Sequence, residues 1–215
     1  MNDEFKNLLF KNFPSLYKEQ TDQKLFQPIE FECQNGWFSL IETVSETVVN
    51  KSSIVKVTKV YKNQGRLKFD ITCCPSRDRD FISGVIKMAQ VLSGISCEIC
   101  SLQGEMFNEN AITSRCVIHG GTRLILLKRK RYIELPFNTK GIGKMWREML
   151  VKLFLQLQAM KIDKEIPEPV ITGIEIKEGK LNVEYMGGNE MTNGMVTLFL
   201  SYAEKIDAET GEIIN

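Results

Sequence analysis

Two short motifs combine sulfur and imidazole at a spacing that can enclose a metal ion. They are Cys97-Glu98-Ile99-Cys100 and Cys116-Val117-Ile118-His119, with fifteen residues between Cys100 and Cys116. A Cys-x-x-Cys turn presents two thiolates to one side of an ion, and zinc takes four nitrogen or sulfur ligands in a tetrahedron. The spacer contains Gly104 and Asn108-Glu109-Asn110 and is long enough to run out as a hairpin and return the second pair. Four protein ligands leave no position for water, the arrangement of structural rather than catalytic zinc. The spacing therefore predicts one structural zinc per chain, held by Cys97, Cys100, Cys116 and His119. His119 is the only histidine in the chain, and it falls on the fourth ligand position.

That single histidine also limits the available reactions. None is left for a Ser-His or Cys-His nucleophilic pair. The order of knuckle, hairpin and second ligand pair resembles a treble-clef finger, with a zinc ribbon as the alternative geometry. Nucleases built on a treble clef need further histidines to activate water and hold a catalytic metal, and the chain has none. No Walker motif or GxGxxG is present, and Gly141-Ile142-Gly143-Lys144 lacks the spacing of a phosphate loop. Acidic residues such as Asp78 and Asp80 suit helix caps better than catalysis, so an enzyme using carboxylates is the weakest reading. Cys33, Cys73 and Cys74 lie outside the cluster and are expected to be small core residues.

Charge is distributed unevenly beneath a net +1. Residues 123–152 carry nine basic and two acidic side chains, whereas residues 153–215 carry five basic and eleven acidic ones. At the centre of the basic stretch, Lys128-Arg129-Lys130-Arg131 lies between the apolar runs Leu124–Leu127 and Tyr132–Leu135. This predicts a basic hairpin turn just after the zinc ligands, able to contact several phosphates of DNA or RNA at once. A solvated turn that keeps a strand edge soluble, or contact with an acidic protein, are the competing readings. The start of the chain, Met1-Asn2-Asp3-Glu4-Phe5, does not resemble a signal peptide, and no apolar run approaches a membrane span. A cytoplasmic protein is expected, with its clustered cysteines serving as ligands rather than as a disulfide framework.

The elements that position these residues follow from periodicity. Residues 3–20 read as a helix with Phe5, Leu8, Leu9 and Phe13, ended or bent at Pro14. Gly36-Trp37 opens a second helix over 37–49, with Trp37, Leu40, Ile41, Val44 and Val48 as its buried stripe. Alternation in 54–61 and 67–71 around Asn63-Gln64-Gly65 predicts a β-hairpin. Asp78 or Asp80 can cap a third helix through Leu92. The same order then recurs. A helix opens at Gly143-Lys144-Met145-Trp146, a hairpin turns at Lys177-Glu178-Gly179, and a last helix carries Met195, Leu198, Phe199, Tyr202 and Ala203. Residues 57–71 and 171–185 match at an offset of 114, which carried forward places Ala203 at Ala89 and Gly211 and Glu212 at Cys97 and Glu98. A diverged internal duplication is expected.

The first half resembles a set of small, mostly uncharacterised proteins of phages and prophages. The shared pattern runs through Phe31, Cys33, Gly36 and Trp37, then the hairpin residues Lys62, Gly65, Leu67 and Phe69. It continues with Ala89 and Ser93 and ends on the four zinc ligands, covering roughly residues 13–119. Such proteins usually stop soon after the histidine, whereas this chain continues for nearly 100 residues. The resemblance implies a phage or mobile-element origin and, by that, the cytoplasm of a host cell. It implies no particular reaction.

Together these features predict an α+β protein of two related α-β-β-α units with an inserted zinc finger. The expected boundaries are 1–94, 95–136 and 137–215. The functional expectation is a non-enzymatic binding protein that contacts nucleic acid through Lys128, Arg129, Lys130 and Arg131. The alternative is a protein-interaction module that modulates a host factor.

Overall fold

Asn2 starts the chain's first helix by accepting a hydrogen bond from the Phe5 amide at 3.1 Å, with Asp3 and Glu4 at the positive helix end. In this computed structural model, which describes residues 1–17, 29–108, 112–120, 135–136, 138–163 and 167–214, that helix is α1 (Asp3–Asn12). Pro14 then begins a separate short helix, α2 (Pro14–Tyr17), because proline fits a first helical turn and not an interior one. Strand β1 (Glu30–Glu32) leads through a 3-10 turn at Asn35–Trp37 into α3 (Phe38–Lys51). Its stripe of Leu40, Ile41, Val44 and Val48 is buried, as the spacing predicts. Thr43, Ser45 and Thr47 are buried too. Each hydroxyl donates to a carbonyl four residues earlier, so none is left unpaired.

The two hairpins have the same construction. Strands β2 (Lys56–Asn63) and β3 (Arg66–Thr72) join through Gln64 and Gly65, both at positive φ, the tight turn that matches strand twist. Farther on, β6 (Val170–Lys177) and β7 (Lys180–Met186) join through Glu178 and Gly179, again both at positive φ. Even the bulges correspond, between Val57 and Lys59 in one and between Ile171 and Gly173 in the other. The surroundings differ. Strand β1 pairs in parallel with β2, Phe31 opposite Val60, whereas β6 and β7 form a two-stranded sheet among the described residues.

Helix α4 (Arg79–Ser93) follows the first hairpin; α5 (Lys144–Ile162) precedes the second, and α6 (Glu190–Ala203) follows it. Asn189 caps α6 by accepting from the amides of Met191 and Thr192. At α4, Asp78 occupies the cap position, but its side chain makes no capping bond, contrary to expectation. Instead its backbone carbonyl accepts from Ile82 at 3.0 Å.

Helices α4 and α6 cross at glycine. A Cβ on Gly84 would lie 2.0 Å from the Met191 carbonyl oxygen, and one on Gly194 would lie 2.0 Å from that of Phe81. The contact is reciprocal: each helix presents its glycine to the residue three positions before the other's glycine. The matching positions, Phe81 with Met191 and Gly84 with Gly194, are separated by 110 residues rather than 114. The offset of 114 that relates the hairpins, and with it the match of Ala89 to Ala203, does not carry through to this crossing: the connection from hairpin to helix is three residues shorter in the second half, 187–189 against 73–78. Both halves contribute to one apolar core, with Trp37, Ile82, Met88, Met149, Leu198 and Phe199 in a single buried cluster.

Candidate metal centre

Beyond α4, a tight turn at Cys97–Ser101 precedes the hairpin of β4 (Glu105–Asn108) and β5 (Ile112–Arg115). The turn is closed by bonds from the Cys97 amide to the Leu102 carbonyl at 2.8 Å and from the Ser101 amide to the Cys97 carbonyl at 2.9 Å. Ser101 takes a positive φ of 66° to complete it. The hairpin returns to Cys116, and a 3-10 turn, Val117–His119, brings His119 back over the cysteine. Here the His119 amide donates to the Cys116 carbonyl at 3.1 Å. Turn, hairpin and helical turn thus follow one another and carry the two ligand pairs that the spacing predicts.

All four donor atoms, three Sγ and the imidazole Nδ1, come together. Nδ1 of His119 is 3.2 Å from the Cys116 sulfur and 3.5 Å from that of Cys97, and the Cys100 and Cys116 sulfurs are 3.6 Å apart. The ligand atoms of the set lie within 4.8 Å of one another. Zinc–sulfur bonds of about 2.3 Å in a tetrahedron require sulfurs about 3.8 Å apart, with sulfur–nitrogen edges slightly shorter. The cluster is thus close enough to hold one ion, and its donors are those that zinc takes.

The N-terminal unit holds the knuckle in place. The Gly36 amide donates to the Glu98 carbonyl at 2.9 Å, and the indole N–H of the fully buried Trp37 donates to the Ser96 carbonyl at 3.1 Å. A Cβ at Gly36 would sit 2.4 Å from the Cys97 carbonyl oxygen, so only glycine permits that approach. The GW pair noted in the sequence therefore seats the Cys97–Cys100 turn.

A second turn has the same hydrogen bonds without the thiols. The Asp207 amide donates to the Glu212 carbonyl, and the Gly211 amide to the Asp207 carbonyl, with Gly211 at positive φ. Isolated bridges flank both turns, Ser96 with Gln103 and Ile206 with Ile213. Asp207 and Thr210 stand at the places of Cys97 and Cys100, which corrects the mapping of Gly211 and Glu212 to Cys97 and Glu98. Oδ1 of Asp207 accepts from the amides of Thr210 and Glu209 and from the Thr210 hydroxyl. Those bonds hold its carboxyl below the usual range and close the turn without a metal. Its Ala208 carbonyl accepts from the Met145 and Trp146 amides, and Glu209 accepts from the Lys144 amide. The start of α5 is thus filled by the chain itself, as expected of a segment that is not a phosphate loop.

The remaining predicted residues fall as follows. Lys128, Arg129, Lys130 and Arg131 lie outside the described residues. Arg147, also within the basic stretch of 123–152, lies in the first turn of α5 and donates to the Ile142 carbonyl at 3.0 Å. Cys33 is buried, and burial pushes its thiol up to about 12. Cys74 is half-buried. Cys73 is exposed, not a core residue: it follows the end of β3 at a φ of 57°, where the chain leaves the sheet and its side chain turns outward. Glu98 and Arg115 were not singled out by the sequence, although Glu98 is fully buried between two ligands. An acidic residue inside a Cys-x-x-Cys turn was the available signal, since a carboxylate among thiolates requires nearby cations. No described helix is long and apolar enough to cross a membrane. Compared with family models, curated proteins and solved structures, the chain has no match.

Zinc binding to this cluster should strengthen with pH. In the metal-free site, burial and then the hydrogen bonds shared with the Cys116 and Cys97 sulfurs push the Cys100 thiol up to about 12. At neutral pH zinc must therefore displace at least that proton, and a fall in pH favours the protonated competitor. Apparent affinity should drop about tenfold per pH unit for each proton displaced, measured by competition with a chromophoric chelator between about pH 6 and pH 8. Affinity that stays flat over that range would rule out thiolate ligation by Cys100.

Proposed function

We propose that the chain is a non-enzymatic binding protein, of phage or mobile-element type, that is stabilised by one zinc ion and contacts nucleic acid through Lys128, Arg129, Lys130 and Arg131. The observation that carries this reading is the convergence of Cys97, Cys100, Cys116 and His119 into one set of donors. Four protein ligands complete the shell of a structural ion. The most basic stretch of the chain begins four residues after His119, which ties that stretch to the finger. Multiple phosphate contacts release counterions, so binding through such a stretch weakens steeply with salt.

Fluorescence anisotropy with labelled single- and double-stranded DNA and RNA tests the reading. The wild type should bind one of these probes at low salt, lose affinity at higher salt, and lose nearly all binding when residues 128–131 are changed to serine. If the variant binds as tightly as the wild type, the basic stretch is not the contact surface. If no probe binds, a second reading takes over, that of a protein-interaction module. An apolar groove of about 600 Å³ beside the knuckle favours it, lined by Phe5, Phe38, Ile99, Ile213 and Ile214.

We infer further that the α-β-β-α units of 1–94 and 137–215 descend from one duplicated segment, with the finger of 95–136 between them. Three correspondences support this: the shared bulge position, the reciprocal Gly84 and Gly194 contact, and the metal-free turn at Asp207–Gly211.

A further inference from the structure

The two halves of the metal site lie on different segments, yet a contact other than the metal joins them. Glu98 immediately follows ligand Cys97, and Arg115 immediately precedes ligand Cys116. Nη1 of Arg115 is 2.8 Å from Oε1 of Glu98, and Nζ of Lys62, near the tip of the first hairpin, is 3.1 Å from the same oxygen. The Glu98 side chain is completely buried, while those of Arg115 and Lys62 are 17% and 30% exposed. The backbone reinforces the pairing, since the Glu98 amide donates to the Ser114 carbonyl at 3.1 Å.

Charge and position make this group more than an incidental ion pair. A zinc ion with three thiolates and one neutral imidazole carries a net negative charge. Glu98 adds a second one in a buried setting, where an uncompensated charge is costly. Arg115 and Lys62 supply two positive charges and balance the group. A buried ion pair contributes little net stability compared with an apolar packing of the same volume, but removal of one partner is strongly destabilising. What this pair provides is register: it ties the Cys97–Cys100 turn to the strand that delivers Cys116.

Resting on the zinc reading of the cluster, we propose that Glu98 and Arg115 are positioning residues. They clamp the two ligand pairs together before the ion enters, so that zinc binds a preassembled site. A site assembled in advance binds its metal more tightly because the ordering cost is already met by the fold. Lys62 extends the clamp to the β2–β3 hairpin and couples the finger to the N-terminal unit.

The test is a cobalt(II) titration of the metal-stripped full chain, followed by its thiolate and ligand-field absorption bands, with zinc affinity obtained by competition. Glu98→Gln and Arg115→Met should each weaken binding by about 10- to 100-fold, the range for residues that support metal ligands. Their saturated spectra should match wild type, because the four ligands are unchanged. The double variant should lose no more than the weaker single, because the two side chains act as one unit. Arg115→Lys should recover part of the loss. Wild-type affinity in both single variants, or losses that multiply in the double variant, would overturn the clamp. A wild-type protein that gives no thiolate–cobalt band would overturn the zinc reading and the clamp with it. Should Glu98→Gln fail to fold, Arg115, whose side chain is 17% exposed where that of Glu98 is fully buried, still decides the matter through its Met and Lys variants.

Discussion

Replacing Cys97 with serine should abolish stoichiometric zinc binding and loosen the finger, which the Glu98–Arg115 contact still keeps in register, while the paired-helix core stays folded. Cys97 is completely buried, and its sulfur is 3.5 Å from the imidazole nitrogen of His119. Serine offers a hard, protonated oxygen where zinc takes a thiolate, and it leaves a buried hydroxyl, which costs about 1–3 kcal/mol if unpaired. The larger loss comes from the metal itself. Structural zinc contributes roughly 10–16 kcal/mol to the folding of isolated finger peptides near neutral pH. Only part of that can appear as global stability here, because a segment can open locally while the rest of the molecule remains intact. We expect a global loss of about 2–5 kcal/mol, similar to removal of a native cross-link from a small domain. Hydrogen exchange should accelerate across residues 95–119 far more than across α4. Fluorescence of Trp37, whose indole donates to Ser96 beside the knuckle, should change in parallel. Metal analysis should return about one zinc per chain for the wild type and well below that for the variant. A wild type that folds fully without metal, with unchanged exchange in the finger, would remove zinc from its structural role.

The cluster of four donors was legible because ligand chemistry depends on residue type and spacing, which survive in the sequence alone. The hairpins were legible for a related reason: alternation marks the strands and Gly65 and Gly179 mark the turns. The three-residue strand β1 was not, since a pairing of Phe31 with Val60 leaves no local pattern. Helical repeats carry an ambiguity of their own. Apolar positions recur every three or four residues, so two amphipathic helices can be offset by one turn and still match apolar to apolar. An offset of 114, right for the hairpins, does this to α4 and α6 and places Gly84 opposite Leu198. An offset of 110 instead pairs Gly84 with Gly194, the two glycines that meet at the helix crossing. Mid-helix glycine is unfavourable unless a neighbouring backbone comes close, so its appearance in both helices was the signal that could have set the register. Glu98 escaped notice because burial of a charge depends on partners at Lys62 and Arg115, distant in sequence.

That register leads to a sharp expectation at the helix crossing. In an ordinary exposed helix, glycine to alanine stabilises by about 0.8–1.0 kcal/mol, because alanine restricts the unfolded chain and favours helical geometry. Gly84→Ala should have the opposite sign. Its new Cβ would lie 2.0 Å from the Met191 carbonyl oxygen, and that oxygen belongs to the backbone of α6, so no flexible side-chain end can yield. The helices must separate, which costs packing along both. Overpacking of this kind costs about 1–3 kcal/mol and occasionally more. Alanine's helical preference offsets up to about 1 kcal/mol of that, so Gly84→Ala and Gly194→Ala should each still destabilise, by about 1–2 kcal/mol in urea unfolding. The two contacts belong to one crossing, so the effects should not add. Once the first Cβ has pushed the helices apart, the second has room, and the double variant should lose clearly less than the sum. Zinc content should stay at one per chain in all three, because the finger's hydrogen bonds lie elsewhere, on Gly36 and Trp37. A neutral or stabilising Gly84→Ala would mean that α4 and α6 do not meet at these glycines, and that the two units are joined by some other face.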